Sequence, residues 1–396
     1  MDNARPSMTR LLHPRVAPQP GGTPLVTPVY QTSTYELPRT AEAAQIAAAV
    51  APGGYYTRYS SPNAREAEAM LAELDGAEAA LLVGSGMAAV SAALLSVLPH
   101  GAAGGGEVLA QHSHYTGTLT LLGTMLPAFG VEVRLVPQEK LADAVCPSTR
   151  VVYLETPSNP QLTLTDLAAV HAAVRATAPD AVIIADNTFA TPYNTRPLDF
   201  GVDLVVQSAT KYLNGHSDVT AGVVTGSAAL IAKAWETARV LGPVCHPFEA
   251  WLLARGLKTF PLRMARHNAS GLAVAEFLAA HPAVRAVHHP GLPGHPQRDL
   301  AARQMRGSGG MLAFTVADAE SAARVLRATR LCRNAVSLGG PETLITHPAS
   351  LVFAHQSPAE LAASGVDPAM LRLSVGLEEP EDILADLAHA LSTVDA

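Results

Sequence analysis

Lysine is almost missing from this chain. Of its 27 basic residues only Lys140, Lys211, Lys233 and Lys258 are lysines. Charge of every kind is scarce: 15% of the 396 residues are charged, against roughly 25% in an ordinary soluble domain. With 48% hydrophobic residues, that scarcity excludes a disordered chain and implies a large buried core. There is no run of Lys and Arg, and the net charge is −7. The basic stripe of a nucleic-acid-binding surface is therefore absent. The three cysteines, Cys146, Cys245 and Cys332, form no CxxC pair. They indicate neither a disulfide framework nor a zinc knuckle, and a reducing cytoplasm suits them. The opening MDNARPSMTRLLHPRVAP is charged and broken by proline, so it lacks the apolar centre of a secretory signal.

One stretch, Ala79–Pro99, is apolar enough to suggest a membrane span. A Gly-Ser-Gly interrupts it, so a strand over Ala79–Val83, a tight turn and a buried helix are expected instead. No membrane association is expected. At about 100–200 residues per domain the length allows two or three domains. Residues 1–60, rich in Pro, Thr and Tyr, read as an arm that wraps a neighbouring subunit. Residues 61–256 alternate short apolar strands (Ala79–Val83, Glu107–Ala110, Val131–Val136, Val151–Leu154, Val182–Ala185 and Leu204–Gln207) with helical stretches such as Asp166–Ala176. That alternation predicts an α/β domain with a mostly parallel sheet covered on both faces. Residues 257–396 change texture. A long helix near Thr259–Ala280, strands at Met311–Val316 and Leu371–Val375 and a last helix at Glu381–Ser392 predict a smaller α+β domain.

In an open α/β sheet ligands bind beyond the carboxyl ends of the strands. Here those ends deliver Gly84-Ser85-Gly86-Met87, then Glu155-Thr156-Pro157-Ser158-Asn159, then Asp186-Asn187-Thr188, then Ser208-Ala209-Thr210-Lys211. A glycine turn opening a helix is an anion site, because free N–H groups and the helix dipole favour phosphate. Lys211 directly follows an apolar strand, where burial lowers a lysine's pKa and makes its amine nucleophilic. Asp186 closes a buried strand and can cap a helix or pair with a cation such as a protonated pyridine nitrogen. Tyr115, after another strand, offers an aromatic face. Lys140 and Lys233 read as solvated surface, and Lys258 as a helix-start charge or an anion contact. His112 and His114 alternate as metal ligands would, but no third ligand stands at matching spacing, so no metal site is expected. A second reading stays open at this point: Gly84-x-Gly86-x-x-Ala89, with Glu107 downstream, matches a dinucleotide fingerprint and an NAD-linked dehydrogenase.

The segment Ser208-Ala-Thr210-Lys211-Tyr212-Leu-Asn-Gly-His216-Ser-Asp218, with Ala185-Asp186-Asn187-Thr188 before it and Arg372-Leu-Ser-Val-Gly-Leu-Glu after it, resembles the Cys/Met-metabolism family of pyridoxal-phosphate enzymes. The resemblance runs along essentially the whole chain. It implies the aspartate-aminotransferase-like fold (fold type I) and pyridoxal 5'-phosphate as cofactor. The implied chemistry is γ-elimination or γ-replacement on sulfur amino acids or homoserine derivatives, as in cystathionine γ-lyase or γ-synthase. Methionine γ-lyase, O-acylhomoserine sulfhydrylase and β-elimination are the alternatives within the family.

By the same resemblance Lys211 binds the cofactor covalently and moves protons, Asp186 pairs with the ring nitrogen, and Tyr115 stacks on the ring and assists the leaving group. Gly86, Met87, Ser208 and Thr210 resemble phosphate ligands. Tyr56 and Arg58 resemble a pair that reaches the phosphate of a neighbouring subunit, in a tetramer built of dimers that share active sites. Asn159, Ser337 and Arg372 resemble the residues that hold the cofactor hydroxyl side and the substrate carboxylate. The departures fall on the substrate side. Thr116 stands where glycine commonly follows the tyrosine, and Ser61 and Asn63 alter a usual Asn-Pro-Thr. Leu351-Val352-Phe353 replaces Met-Thr-His, and Val336 stands where cystathionine-handling members often place a glutamate.

Overall fold

A computed structural model describes residues 24–39, 41–98, 106–354 and 365–394, together with Thr9, Leu12 and Leu361. Most of the first 23 residues of the expected arm lie outside the described residues. The described part of the arm packs back on its own chain: Asn63 Nδ2 donates to the Pro28 carbonyl at 2.9 Å, and Trp251 Nε1 donates to that of Thr27 at 2.9 Å.

The larger sheet contains β1 (Ala79–Val83), β2 (Glu107–Gln111), β3 (Glu132–Val136), β4 (Thr149–Glu155), β5 (Val182–Asp186), β6 (Leu204–Ser208) and β7 (Gly222–Gly226). Their spatial order is β1-β7-β6-β5-β4-β2-β3. The run from β3 to β6 is parallel throughout, and β7 lies antiparallel to both β6 and β1. Val151, Val152, Tyr153 and Leu154 of β4 are all fully buried, as expected of a parallel strand covered on both faces. Each such aliphatic side chain contributes roughly 1.5–3 kcal/mol, enough for packing to override the weak intrinsic preferences of five-residue strands.

The apolar stretch near residue 79 becomes β1, a turn and a buried helix, Gly86–Val97. Ser85 caps that helix by accepting the Ala88 N–H at 3.1 Å. No helix among the described residues is long and apolar enough to cross a membrane. The dinucleotide reading fails on topology. A nucleotide-binding βαβ unit needs its two strands parallel and close together, with the crevice at a switch point. Here β1 is an edge strand paired antiparallel with β7, and β2 lies four strands further on beyond β7. Glu107 sits at the start of β2, where Arg134 Nε and Thr149 Oγ1 donate to it at 2.6 and 3.0 Å, away from the glycine turn.

The smaller sheet contains β8 (Ala286–His288), β9 (Met311–Thr315), β10 (Arg333–Asn334), β11 (Leu344–Thr346) and β12 (Met370–Ser374), ordered β10-β11-β12-β9-β8. Helices Ala319–Ala328 and Pro380–Leu391 close one apolar core against it. A second core joins the two sheets. Met311, Ala313 and Met370 meet Phe260 and Met264 of helix Phe260–Ala280, and these meet Leu71 and Leu74 of helix Pro62–Asp75. This junction fixes β12 relative to β4, β5 and β6, and so fixes the distance between Arg372 and Lys211.

Candidate active site

β4 and β5 end level with one another, and β6 runs about two residues further. Glu155 is the register partner of Asp186, and Asp186 that of Val206. The turn after β6 carries Lys211 and is held by its own backbone, with Lys211 N donating to Ser208 O at 3.2 Å and Gly215 N to Lys211 O at 2.8 Å. Lys211 Nζ donates to Ser337 Oγ at 2.7 Å. Burial pushes the amine down to about 8, and the nearby Arg372 charge pushes the same way. This lysine is therefore partly neutral near physiological pH. Lys140, by contrast, is exposed, with its Nζ 3.7 Å from Asp143.

Asp186 Oδ1 accepts the Thr188 N–H at 3.0 Å. Burial raises its carboxyl to about 7, and the adjacent Glu155 raises it further. A bound cation would reverse that shift by favouring the carboxylate. Arg372 enters from β12 and is buried. It donates to Asn159 Oδ1 and to the Ser337 carbonyl, both at 3.1 Å. Burial lowers it to about 10. Among the described residues it has no carboxylate partner within ion-pair distance, so part of its five-donor fork remains for a ligand. Ser337 takes φ +92°, in the left-handed region disfavoured for side-chain-bearing residues. That backbone turns its hydroxyl to Lys211 and its carbonyl to Arg372.

The glycine turn is packed too tightly for side chains. A Cβ on Gly86 would stand 2.8 Å from Ser208 Cβ, and one on Gly222 would stand 2.0 Å from the Ser85 carbonyl oxygen. The missing Cβ atoms let the start of helix Gly86–Val97 sit against β6 and β7, leaving its first N–H groups at the cavity. Thr210 is already engaged: its hydroxyl donates to Ala221 O at 3.2 Å and accepts the Ala221 N–H at 3.0 Å.

These ends surround a cavity of about 480 Å³, within the usual range for small-molecule sites of about 300–1,000 Å³. Gly86, Met87, Tyr115, Asn159, Asp186, Ser208, Thr210, Lys211, Ser337 and Arg372 all line it. Tyr56 and Arg58 do not. Arg58 donates to the Arg239 carbonyl, with its guanidinium 5.1 Å from the centre of the Tyr59 ring. Within one chain, then, the structure does not bring this pair to the cavity.

Three residues of the site went unassigned in the sequence. Thr188 donates to Asp186 through its N–H and accepts the Ser208 N–H on Oγ1 at 2.9 Å. Glu155 lines the cavity and accepts the Tyr115 N–H on Oε2 at 2.8 Å. His114 is fully buried, with its ring centre 5.2 Å from that of Tyr153. Burial holds it neutral, down to about 3. In the sequence Glu155 and Thr188 were visible at strand ends without a role, and His114 only as half of a rejected metal-ligand pair.

A helix start offering N–H groups, a desolvated amine, a carboxylate awaiting a cation and an aromatic ring on one cavity fit a phosphorylated pyridine aldehyde. The comparisons agree. The family described as Cys/Met metabolism PLP-dependent enzymes matches residues 8–392. L-methionine gamma-lyase of Pseudomonas putida is 42% identical over 389 residues, spanning 97% of this chain and 96% of that protein. Cystathionine gamma-synthase of Mycobacterium bovis is 39% identical over 389 residues, 97% of this chain and 96% of that protein. The crystal structure of metB from Corynebacterium glutamicum superimposes with a TM-score of 0.89 at 34% identity, covering 98% of both chains. The chain belongs to the Cys/Met metabolism family of pyridoxal-phosphate-dependent enzymes, with fold type I and pyridoxal phosphate as its cofactor.

Proposed function

We propose that this enzyme catalyses γ-elimination from a sulfur amino acid with an uncharged tail, of the methionine type, releasing a thiol, a 2-oxo acid and ammonia. The observation that carries this reading is the asymmetry of the cavity. Its floor holds Lys211, Asp186 and Arg372, whereas its outer wall is built from Val336, Leu338, Leu351 and Val352. A substrate ending in a second ammonium would find no carboxylate on that wall, and desolvating it there would be costly. The relatives named L-methionine gamma-lyase, at 42% identity and below or just above, support the same reading.

In this proposal the cofactor, when bound, supplies an electron sink for charge developing on the substrate carbons. Lys211 holds it covalently, Asp186 its ring nitrogen and Tyr115 its face. Gly86, Met87 and Ser208 offer donors to its phosphate, with Thr210 joining them if it gives up Ala221. Arg372, aided by Asn159, grips the substrate carboxylate in a fork that excludes rotation. Lys211, released from the cofactor and already depressed toward neutral pH, takes and returns the substrate carbon protons. Ser337 Oγ aims its Nζ at that task. Tyr115 assists the departing sulfur.

Tyr56 and Arg58, exposed and away from their own cavity, are proposed to complete the cavity of a neighbouring copy, in an oligomer working in the cytoplasm. The test of the reaction is to measure 2-oxo acid, ammonia and thiol release from methionine, cysteine, cystathionine and O-acylhomoserines, with and without added thiol. Methionine is expected to lead. Faster turnover of cystathionine, or of an O-acylhomoserine with thiol, would overturn this reading in favour of the other family reactions.

A further inference from the structure

Glu155 ends β4 beside Asp186, which ends β5, and only 4% of its surface is exposed. Two carboxyl groups on adjacent strands in a dry setting cannot both ionise cheaply, and such pairs share a proton. A cation bound at Asp186, as the proposed cofactor would supply, decides which of the two keeps the charge. Asp186 Oδ1 accepts the Thr188 N–H at 3.0 Å, and a hydrogen bond of that kind favours the ionised form. Glu155 Oε2 accepts the main-chain N–H of Tyr115, and the Asn159 N–H also favours its ionised form, so donors alone do not separate the two acids. His114 Nδ1 stands 3.5 Å from the same oxygen, and neither ring nitrogen of His114 has a hydrogen-bond partner. An imidazole left unpaired in a fully buried position is costly unless a proton is shared toward it.

The other charged or titratable groups facing the pair are Tyr153 within β4, Arg372 from β12 and Lys211 from the turn after β6. Arg372 pulls Glu155 toward ionisation, but burial outweighs it and raises Glu155 to about 8, above Asp186 at about 7.

We infer that Glu155 is a positioning residue that stays protonated beside Asp186, anchoring Tyr115 through its main-chain N–H and leaving Asp186 as the one charged carboxylate of the pair. The role of Glu155 rests on the cofactor-dependent family assignment and not on the choice of substrate, so its test reads the cofactor directly. Glu155→Gln keeps a neutral side chain with an oxygen for the Tyr115 N–H, and Glu155→Ala keeps neither oxygen nor charge.

Cofactor affinity of the apoprotein, kcat and KM of the loaded enzyme, and infrared difference spectra at neutral pH separate the outcomes. The native enzyme is expected to show the carbonyl stretch of a protonated carboxylic acid, lost in Glu155→Gln. Glu155→Gln is expected to bind cofactor as the native enzyme does. Glu155→Ala should bind it about tenfold more weakly, as the loss of one buried hydrogen bond implies, with kcat falling and KM little changed. Should Glu155→Gln be as impaired as Glu155→Ala, or the infrared band be absent, a charged Glu155 is required and the inference fails. Native-like cofactor binding by Glu155→Ala would remove the anchoring role. If Glu155→Ala does not fold, Glu155→Gln and the infrared band still decide.

Discussion

The floor of the cavity and its rim are built by opposite rules. The floor is made of strand ends: Glu155 and Asp186 stand level because β4 and β5 are in parallel register, Ser208 lies two residues beyond that level on β6, and the buried Arg372 meets them from β12. The rim is made of loops. Val336 is 60% exposed and Leu351 45% exposed, and neither is held by a sheet. The floor carries the residues that the resemblance expects, whereas the departures at Thr116, Val336, Leu351 and Val352 line the cavity above it. A register cannot shift one member without shifting all, so the floor sets the reaction. The rim can change one residue at a time, and in the proposed reading it sets the substrate.

The largest effect is expected at the floor. Lys211→Ala should lose at least about 10³-fold in kcat together with the visible absorbance of the loaded cofactor. Mixing it with Arg58→Ala should restore part of the activity, because each copy would supply what the other lacks. Retained absorbance with turnover would break the assignment of Lys211.

Burial without function is the control, and Asp75 supplies it. This acid is fully buried away from the cavity, where Gln207 Nε2 and Thr225 Oγ1 donate to it at 2.9 and 2.8 Å. Burial raises it to about 7. A carboxyl whose folded value is raised contributes stability that is fully present below its unfolded value near about 4 and is lost as pH rises through about 7. Unfolding of native and Asp75→Asn protein followed by denaturant should therefore diverge over that window by a few kcal/mol, the native losing more, with cofactor absorbance unchanged in both. A parallel pair of curves would show that Asp75 carries no such shift.

The smallest effect belongs to the rim. Val336→Glu should move the ratio of kcat/KM for cystathionine over methionine by about tenfold or less, mostly through KM, leaving the absorbance and kcat for methionine near native. A change in the spectrum would mean that rim and floor are not separable.

The floor was largely legible before the fold was known, because a parallel strand buried on both faces reads as a short apolar run, and the residue after it is the one that meets a ligand. The six strands expected in the larger sheet all formed, with ends shifted by only a few residues. β7 escaped because Gly222–Gly226 is a glycine-bounded strand with no helix before it, so the alternation that marks a parallel unit is missing. β8, β10 and β11, of two or three residues each, are too short to leave a period. Glu155 was visible as a strand end yet carried no assignment, because its partners, the Tyr115 N–H and His114, come from after β2 and meet it only in three dimensions. Thr210's engagement with Ala221 depends on the antiparallel return of β7, which pattern alone did not reveal.

Arg372 hangs from the smaller sheet and Lys211 from the larger, with Ser337 touching both. An amino acid that seats its carboxylate on the guanidinium therefore staples the two halves of the molecule across their seam. A thioether amine lacking that carboxylate forfeits the staple as well as the ion pair.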